Sequence, residues 1–275
     1  MAGICPECIT GNKLAGTLKG TNVDKHALPA YFASATRGDH NSPVEYTTKA
    51  LVISPDIFGF GIDNPKLLAD LFAEKCGLDV WAVDTFNGNP PVREAELAPY
   101  MQEYAGQRLS WLTTIGKYAK MLTYLPTLWS LKPANQEPAL IEFIGQLRRE
   151  YKYEKIGLIG YCWGGAHAVS LAAQPGIIDV ALPCHPGSDF KTHIRDAVVP
   201  IAYSIPEEDR HWPTGFLESV QAAIDARSNA PKHRFTVYPG TVHGFGSRPN
   251  LGIPQIKTSW EGYVSDTVGW VKETM

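Results

Sequence analysis

The sequence predicts an α/β fold with a mostly parallel central sheet flanked by helices, and three observations carry that expectation. Short β-rich runs alternate with helical ones over most of the 275 residues, the rhythm of a sheet wrapped by helices. Several of these runs, such as Ala50-Leu-Val-Ile-Ser54 and Lys155-Ile-Gly-Leu-Ile-Gly160, are continuous apolar stretches, the mark of strands covered on both faces. The second of them leads straight into a glycine-rich turn and an alanine-rich helix.

In chain order the expected strands are His26–Ser34, Lys49–Ser54, Asp79–Asp84, Lys155–Gly160, Asp179–Cys184, Val199–Ser204 and His233–Tyr238. The expected helices are Asn64–Cys76, Gln136–Lys152, Trp163–Gln174, Gly215–Ala226 and Gln255–Lys272. No internal repeat, linker or shift of composition divides the chain, so one domain over residues 1–275 is expected. The segment from about 87 to 136 breaks the rhythm, being rich in Pro and aromatics such as Tyr100, Trp111, Tyr118 and Trp129. An insertion of that length reads as a lid-like element or binding wall, or as aromatics docked on the core.

Composition excludes several function classes. A net charge of −3 with no block of like charge lacks the basic face that nucleic acid or an anionic membrane requires. No apolar run is long enough to span a bilayer, and the first residues lack the basic start and long apolar core of a secretory signal. A cytoplasmic protein with reduced cysteines is therefore expected. Cys5 and Cys8 form a Cys-x-x-Cys without a second ligand pair nearby, which reads as a structural or incidental pair and not a zinc site.

The stretch Gly160-Tyr-Cys-Trp-Gly-Gly165 carries the chemistry. A Gly-x-nucleophile-x-Gly turn between a strand and a helix is the nucleophile elbow of α/β-hydrolases. The turn is so sharp that Gly160 and Gly164 must lack side chains. Cys162 then points into a pocket at the sheet edge, where the helix N-terminus favours a thiolate. The Trp163 amide is placed to hold an oxyanion. The turn lacks the Gly-Lys-Ser/Thr of a phosphate loop and the third glycine of a dinucleotide fingerprint.

Such a site presents nucleophile, acid and histidine in that chain order. Six histidines follow Cys162, at positions 167, 185, 193, 211, 233 and 243. His243 is the expected base, because it lies in a glycine-rich loop after the last strand. The acid should close the preceding strand, where Glu207, Glu208 and Asp209 compete. One of them would orient the imidazole and stabilise its charged form, with the others in a solvated turn.

Taken together, Ser54-Pro-Asp-Ile-Phe-Gly59, Gly157-Leu-Ile-Gly-Tyr-Cys-Trp-Gly-Gly165 and Val242-His-Gly-Phe-Gly-Ser-Arg248 resemble the dienelactone hydrolase family, including its fungal branch. The resemblance runs from about Gly16 to Lys272. It implies an α/β-hydrolase fold and cofactor-free, metal-free hydrolysis of small lactones or esters through a Cys–His–Asp triad and a thioester. On that pattern Cys162 is the nucleophile and His243 the base. Asp209 is the acid, since Pro213 follows it four residues on. The resemblance also implies Ile57 as the second oxyanion donor, Asp56 as the acid that contacts the resting thiol, and Arg248 as one arginine of a carboxylate clamp. The second arginine of that clamp has no counterpart around Asn87, which points to neutral or bulkier substrates. His185, at the end of another strand, either lines the pocket or serves as a packing or capping residue. Two other readings on the same fold are a non-catalytic binding relative and a redox-sensing thiol protein with Cys184 as resolving partner.

Overall fold

The computed structural model describes residues 13–35 and 46–275; the Cys5–Cys8 pair lies outside them. Among the described residues eight strands form one sheet: β1 Thr21–Val23, β2 Ala30–Ala33, β3 Lys49–Ser54, β4 Asp79–Val83, β5 Lys155–Tyr161, β6 Val180–Cys184, β7 Ile201–Glu208 and β8 His233–Val242. Their spatial order is β1-β2-β4-β3-β5-β6-β7-β8. The first two pairings, β1 with β2 and β2 with β4, are antiparallel, and the rest of the sheet is parallel. This is the α/β-hydrolase architecture that the strand and helix rhythm predicts.

The helices are α1 Asn64–Cys76, α2 Glu94–Leu97, α3 Trp111–Ser130, α4 Pro133–Tyr151, α5 Trp163–Ala172, α6 Phe216–Asp225 and α7 Pro254–Thr274. Strand side chains alternate between two cores, as a pleat with period two demands. Val52 and Leu158 face Phe143 and Leu147 of α4, Val169 of α5 and Val220 of α6. Leu51, Ile53 and Ile159 face Leu68 and Phe72 of α1 and Trp270 of α7. The continuous apolar strand sequences follow directly, because a position on either face meets a helix. α1 ends where it must: Gly77 takes a left-handed φ of 67° and its N–H donates to Ala73 O, the closure that glycine alone supplies without strain.

Several elements differ from expectation. Of the stretch read as His26–Ser34 only Ala30–Ala33 is a strand, β2, and a further short strand, β1 Thr21–Val23, precedes it. β7 and β8 run four residues beyond the expected Ser204 and Tyr238. Pro206 and Pro239-Gly240 look like strand breakers, but an irregularity between Pro206 and Glu208 absorbs the offset and pairing resumes at Glu208↔Val242. The 87–136 segment contains α3, a 20-residue helix hidden in the sequence by its threonines, aromatics and internal Pro126. One side of α3 packs Met121, Tyr124 and Leu128 against Phe58, Ile62, Val92 and Leu97. Gly116 lets the helix approach, since a Cβ there would sit 2.7 Å from the Tyr100 ring. No helix among the described residues is long and apolar enough to cross a membrane.

Candidate active site

The turn between β5 and α5 holds Cys162 at φ 50° and ψ −101°, a region that a residue with a side chain adopts only under constraint. The constraint is visible in its neighbours. A Cβ on Gly160 would lie 2.0 Å from Gly164 O, and one on Gly164 would lie 2.1 Å from Ser54 O. Both contacts are backbone, which cannot move aside. Further bonds fix the turn: Cys162 N–H donates to Cys184 O at 3.1 Å, Gly164 N–H to Pro55 O at 3.0 Å, and Gly187 N–H to Cys162 O at 2.7 Å. The bond to Pro55 ties the loop after β3, with Asp56 and Ile57, to the elbow. The thiol is half-buried and stands at the positive end of α5.

The second half of the site comes from the tips of β7 and β8. Glu208 and Val242 are register partners, so the next residue on each strand, Asp209 and His243, emerge side by side. His243 Nδ1 lies 2.6 Å from Asp209 Oδ2, and the other carboxylate oxygen accepts the His211 N–H at 2.9 Å. Glu207 and Glu208 are exposed, as expected for the competing acids, but each has a task. Glu207 accepts the Gly240 N–H at 2.7 Å. Glu208 accepts the Gly106 N–H at 2.7 Å and Gln102 Nε2 at 3.2 Å.

Charge is unevenly distributed among the histidines. Burial works against the cationic form of His243, but the Cys162 sulfur and then the Asp209 carboxylate outweigh it and push its pKa up to about 10. Asp209 shows the reciprocal effect. Its burial favours the neutral acid, yet His243 holds its carboxyl below the ordinary value. His211 is lowered to about 4, first by burial and then by the neighbouring His243 charge. His185 is driven well below its ordinary value by the same two causes in the same order. The His185 and His211 rings flank His243, at centroid distances of 5.0 Å and 5.3 Å.

His185 is fully buried, takes a positive φ of 38°, and packs edge-on against both His243 and Phe245. Among the described residues neither of its ring nitrogens has a partner. It therefore acts as a packing ring behind His243 and does not cap a helix or turn. His167, on α5, is a structural residue: it bonds Ser54 Oγ at 2.9 Å and Pro133 O at 3.2 Å.

Asp56 and Arg248 depart from expectation. The Asp56 carboxylate does not turn to the thiol. Its Oδ2 accepts from Arg248 Nε at 2.9 Å and from Ser247 Oγ at 2.9 Å, and its Oδ1 accepts the Phe58 N–H at 3.0 Å. Asp is one methylene shorter than Glu, and the interior arginine claims it. The guanidinium is correspondingly not an open clamp. It stacks 4.5 Å from the Phe58 ring centroid and is buried, at a small cleft that His243, Met101 and Gln102 also line. Trp163, whose amide follows the nucleophile, donates its indole N–H to Leu131 O at 3.1 Å and Gln136 Oε1 at 3.0 Å, joining the elbow to the α3–α4 junction.

Ser247 and His211 were missed as site residues. Ser247 lies inside the quoted Val242–Arg248 motif, and His211 two residues from the acid, so proximity in sequence was the available signal. The ligand atoms of Asp209, His211 and His243 lie within 4.8 Å of one another, but a cation there would have to break the Asp209–His243 bond.

Comparison with known proteins agrees with the fold. The family model of the dienelactone hydrolase family matches residues 36–275. Hydrolase tropI of Talaromyces stipitatus is 25% identical over 270 residues, covering 98% of this chain and 95% of its own. Dienlactone hydrolase 1 of Gibberella moniliformis is also 25% identical, covering 98% and 93%. The crystal structure of dienelactone hydrolase from Anabaena variabilis superposes with a TM-score of 0.57 at 10% identity, over 94% of this chain and 99% of that one.

Proposed function

The chain belongs to the dienelactone hydrolase family, and from that premise we propose that it hydrolyses small lactones or esters through Cys162, His243 and Asp209. The observation that carries this reading is the pairing of His243 with Asp209 at 2.6 Å, beside a Cys162 held in a strained turn; the Cys162 sulfur and the Asp209 carboxylate both favour the charged ring.

The Cys162 thiolate attacks the substrate carbonyl carbon, and the carbonyl electron pair moves onto oxygen. The Ile57 and Trp163 amides stabilise that oxyanion, the first in the loop after β3 and the second directly after the nucleophile. Collapse expels the alkoxide, which takes a proton from the His243 imidazolium, leaving a thioester on Cys162. The neutral imidazole then removes a proton from water as its oxygen attacks the thioester. Carboxylic acid leaves, and the thiolate–imidazolium pair is restored. Asp209 keeps the ring oriented and stabilises its charge throughout. No cofactor or metal enters these steps.

The aromatic 87–136 segment supports a role as a wall of the substrate cleft, which Met101 and Gln102 line. The internal pairing of Arg248 with Asp56 supports neutral substrates over carboxylated ones. The redox reading loses support, since Cys184 is buried and its thiol is pushed well above its ordinary value by that burial. The deciding experiment is hydrolysis of a panel of lactones and aryl esters before and after alkylation with iodoacetamide. Loss of turnover with one adduct, mapped to Cys162, supports the reading; turnover that survives complete modification of Cys162 refutes it.

A further inference from the structure

Helix α3 is apolar on two faces. Its inner side rests on the small cluster around Phe58, while Trp111, Ile115, Tyr118, Leu122, Leu125 and Trp129 point outward, between 52% and 78% exposed. A helix apolar all round is normally covered all round. The outward residues recur at spacings of four, three, four, three and four, which is the seam of a coiled coil.

That seam is also a palindrome about position 120. Trp111 and Trp129 stand equally far from the centre, as do Ile115 and Leu125, and Tyr118 and Leu122. An isologous twofold interface sets residue i against residue j and j against i. Two antiparallel copies of α3 would therefore pair Tyr118 with Leu122, Ile115 with Leu125 and Trp111 with Trp129, apolar against apolar in every layer.

From this we infer that the protein is a homodimer whose twofold axis crosses α3 near Lys120, with the seam of one copy packed on the seam of the other. The area is sufficient. With large aromatics each presenting roughly 150–250 Å², the six side chains expose on the order of 800 Å² per copy, the amount each partner contributes to a stable interface and more than a monomer ordinarily leaves bare. No charge stands on the seam to repel its image. Lys120 is paired with Glu96, and Lys132 lies over the Trp129 ring. A membrane fits less well, because an interfacial helix carries a cationic polar face, whereas the opposite face of α3 is docked into the protein.

The test is the mass of the full chain in solution, by light scattering at low micromolar concentration, with Leu122→Glu as the disrupting variant. A Glu there would bury an unpaired carboxylate against Tyr118 of the other copy, twice per dimer, so the wild type should have twice the monomer mass and the variant the monomer mass, with unchanged circular dichroism. Register is tested by oxidative cross-linking in a Cys162→Ala background. A mixture of Ile115→Cys and Leu125→Cys chains should yield linked dimers, and either alone should yield at least tenfold less. A monomeric wild type overturns the inference, and so does a dimer indifferent to Leu122→Glu. Binding of monomers to lipid vesicles that Leu122→Glu abolishes overturns it in favour of a membrane.

Discussion

Arg248 Nε lies 2.9 Å from Asp56 Oδ2, with the two side chains 4% and 2% exposed. The pair joins the loop after β3 to the loop after β8, the two segments that bracket the nucleophile and carry the histidine. Its position makes it a brace for the site, and the Ser247 hydroxyl on the same carboxylate oxygen reinforces that brace.

Removing one partner of such a pair leaves an uncompensated buried charge, typically at about 3–5 kcal/mol. Arg248→Ala should therefore lower unfolding free energy by that order in denaturant titrations, far more than a surface substitution. Because Asp56 already neutralises the guanidinium, the wild type should not favour a carboxylated lactone over its neutral ester analogue by more than about tenfold in kcat/KM, which is about 1.4 kcal/mol. A larger preference that Arg248→Ala erases would restore Arg248 as a carboxylate clamp.

Cys162→Ala should reduce ester or lactone turnover to background while leaving the fold intact, since a smaller residue fits the elbow. Cys162→Ser should retain at most a trace. A hydroxyl is far less acidic than a thiol, so His243 would have to remove its proton during attack instead of starting beside an anion. Steady-state kinetics on an activated aryl ester, with circular dichroism as a folding control, distinguishes these outcomes.

The parallel sheet, the elbow and the acid–histidine tips were legible because each rests on local chemistry. Gly160 and Gly164 announce a turn without room for a Cβ, and apolar runs announce doubly covered strands. What was not legible depends on long-range competition. Asp56 and Arg248 are 192 positions apart, and no spacing rule tells that they choose each other over thiol and substrate. The continuation of β7 and β8 past their prolines was hidden for a similar reason: an irregularity in the ladder compensates residues that alone read as breakers. α3 was hidden because one of its apolar faces has no partner within the chain's described residues, which blurs the one-sided pattern that marks a surface helix.

Glu208 anchors the segment that walls the cleft, through Gly106 and Gln102. Glu208→Ala should lose those bonds without touching the Asp209–His243 pair. A hydrogen bond of this exposed kind contributes about 0.5–1.5 kcal/mol, so amide exchange at Gly106 should quicken by up to about tenfold. KM for bulky esters should rise while kcat changes little. A fall in kcat with unchanged KM would show that the carboxylate acts on the triad instead.

The raised pKa of His243 makes stability depend on pH. Its pKa is raised from 6.5 to about 10, so between those values the folded protein holds a proton that the unfolded chain has released. Stability from this group is complete below pH 6.5 and declines as pH rises toward about 10. Asp209 works at the other end. Its lowered pKa gives a contribution present above its ordinary value of 3.8 and lost as acid protonates the folded carboxyl. Denaturant midpoints of the wild type should therefore fall across the alkaline range. In Asp209→Asn that fall should be smaller and should end at lower pH, because the charge and hydrogen bond that favour the imidazolium are gone. Carbamidomethylation of Cys162 removes the raising influence of its sulfur and should shift the His243 ring titration, followed by NMR, toward 6.5. A wild-type ring that titrates near 6.5 would mean that no thiolate–imidazolium pair forms, and the resting state would then be a neutral thiol beside a neutral base.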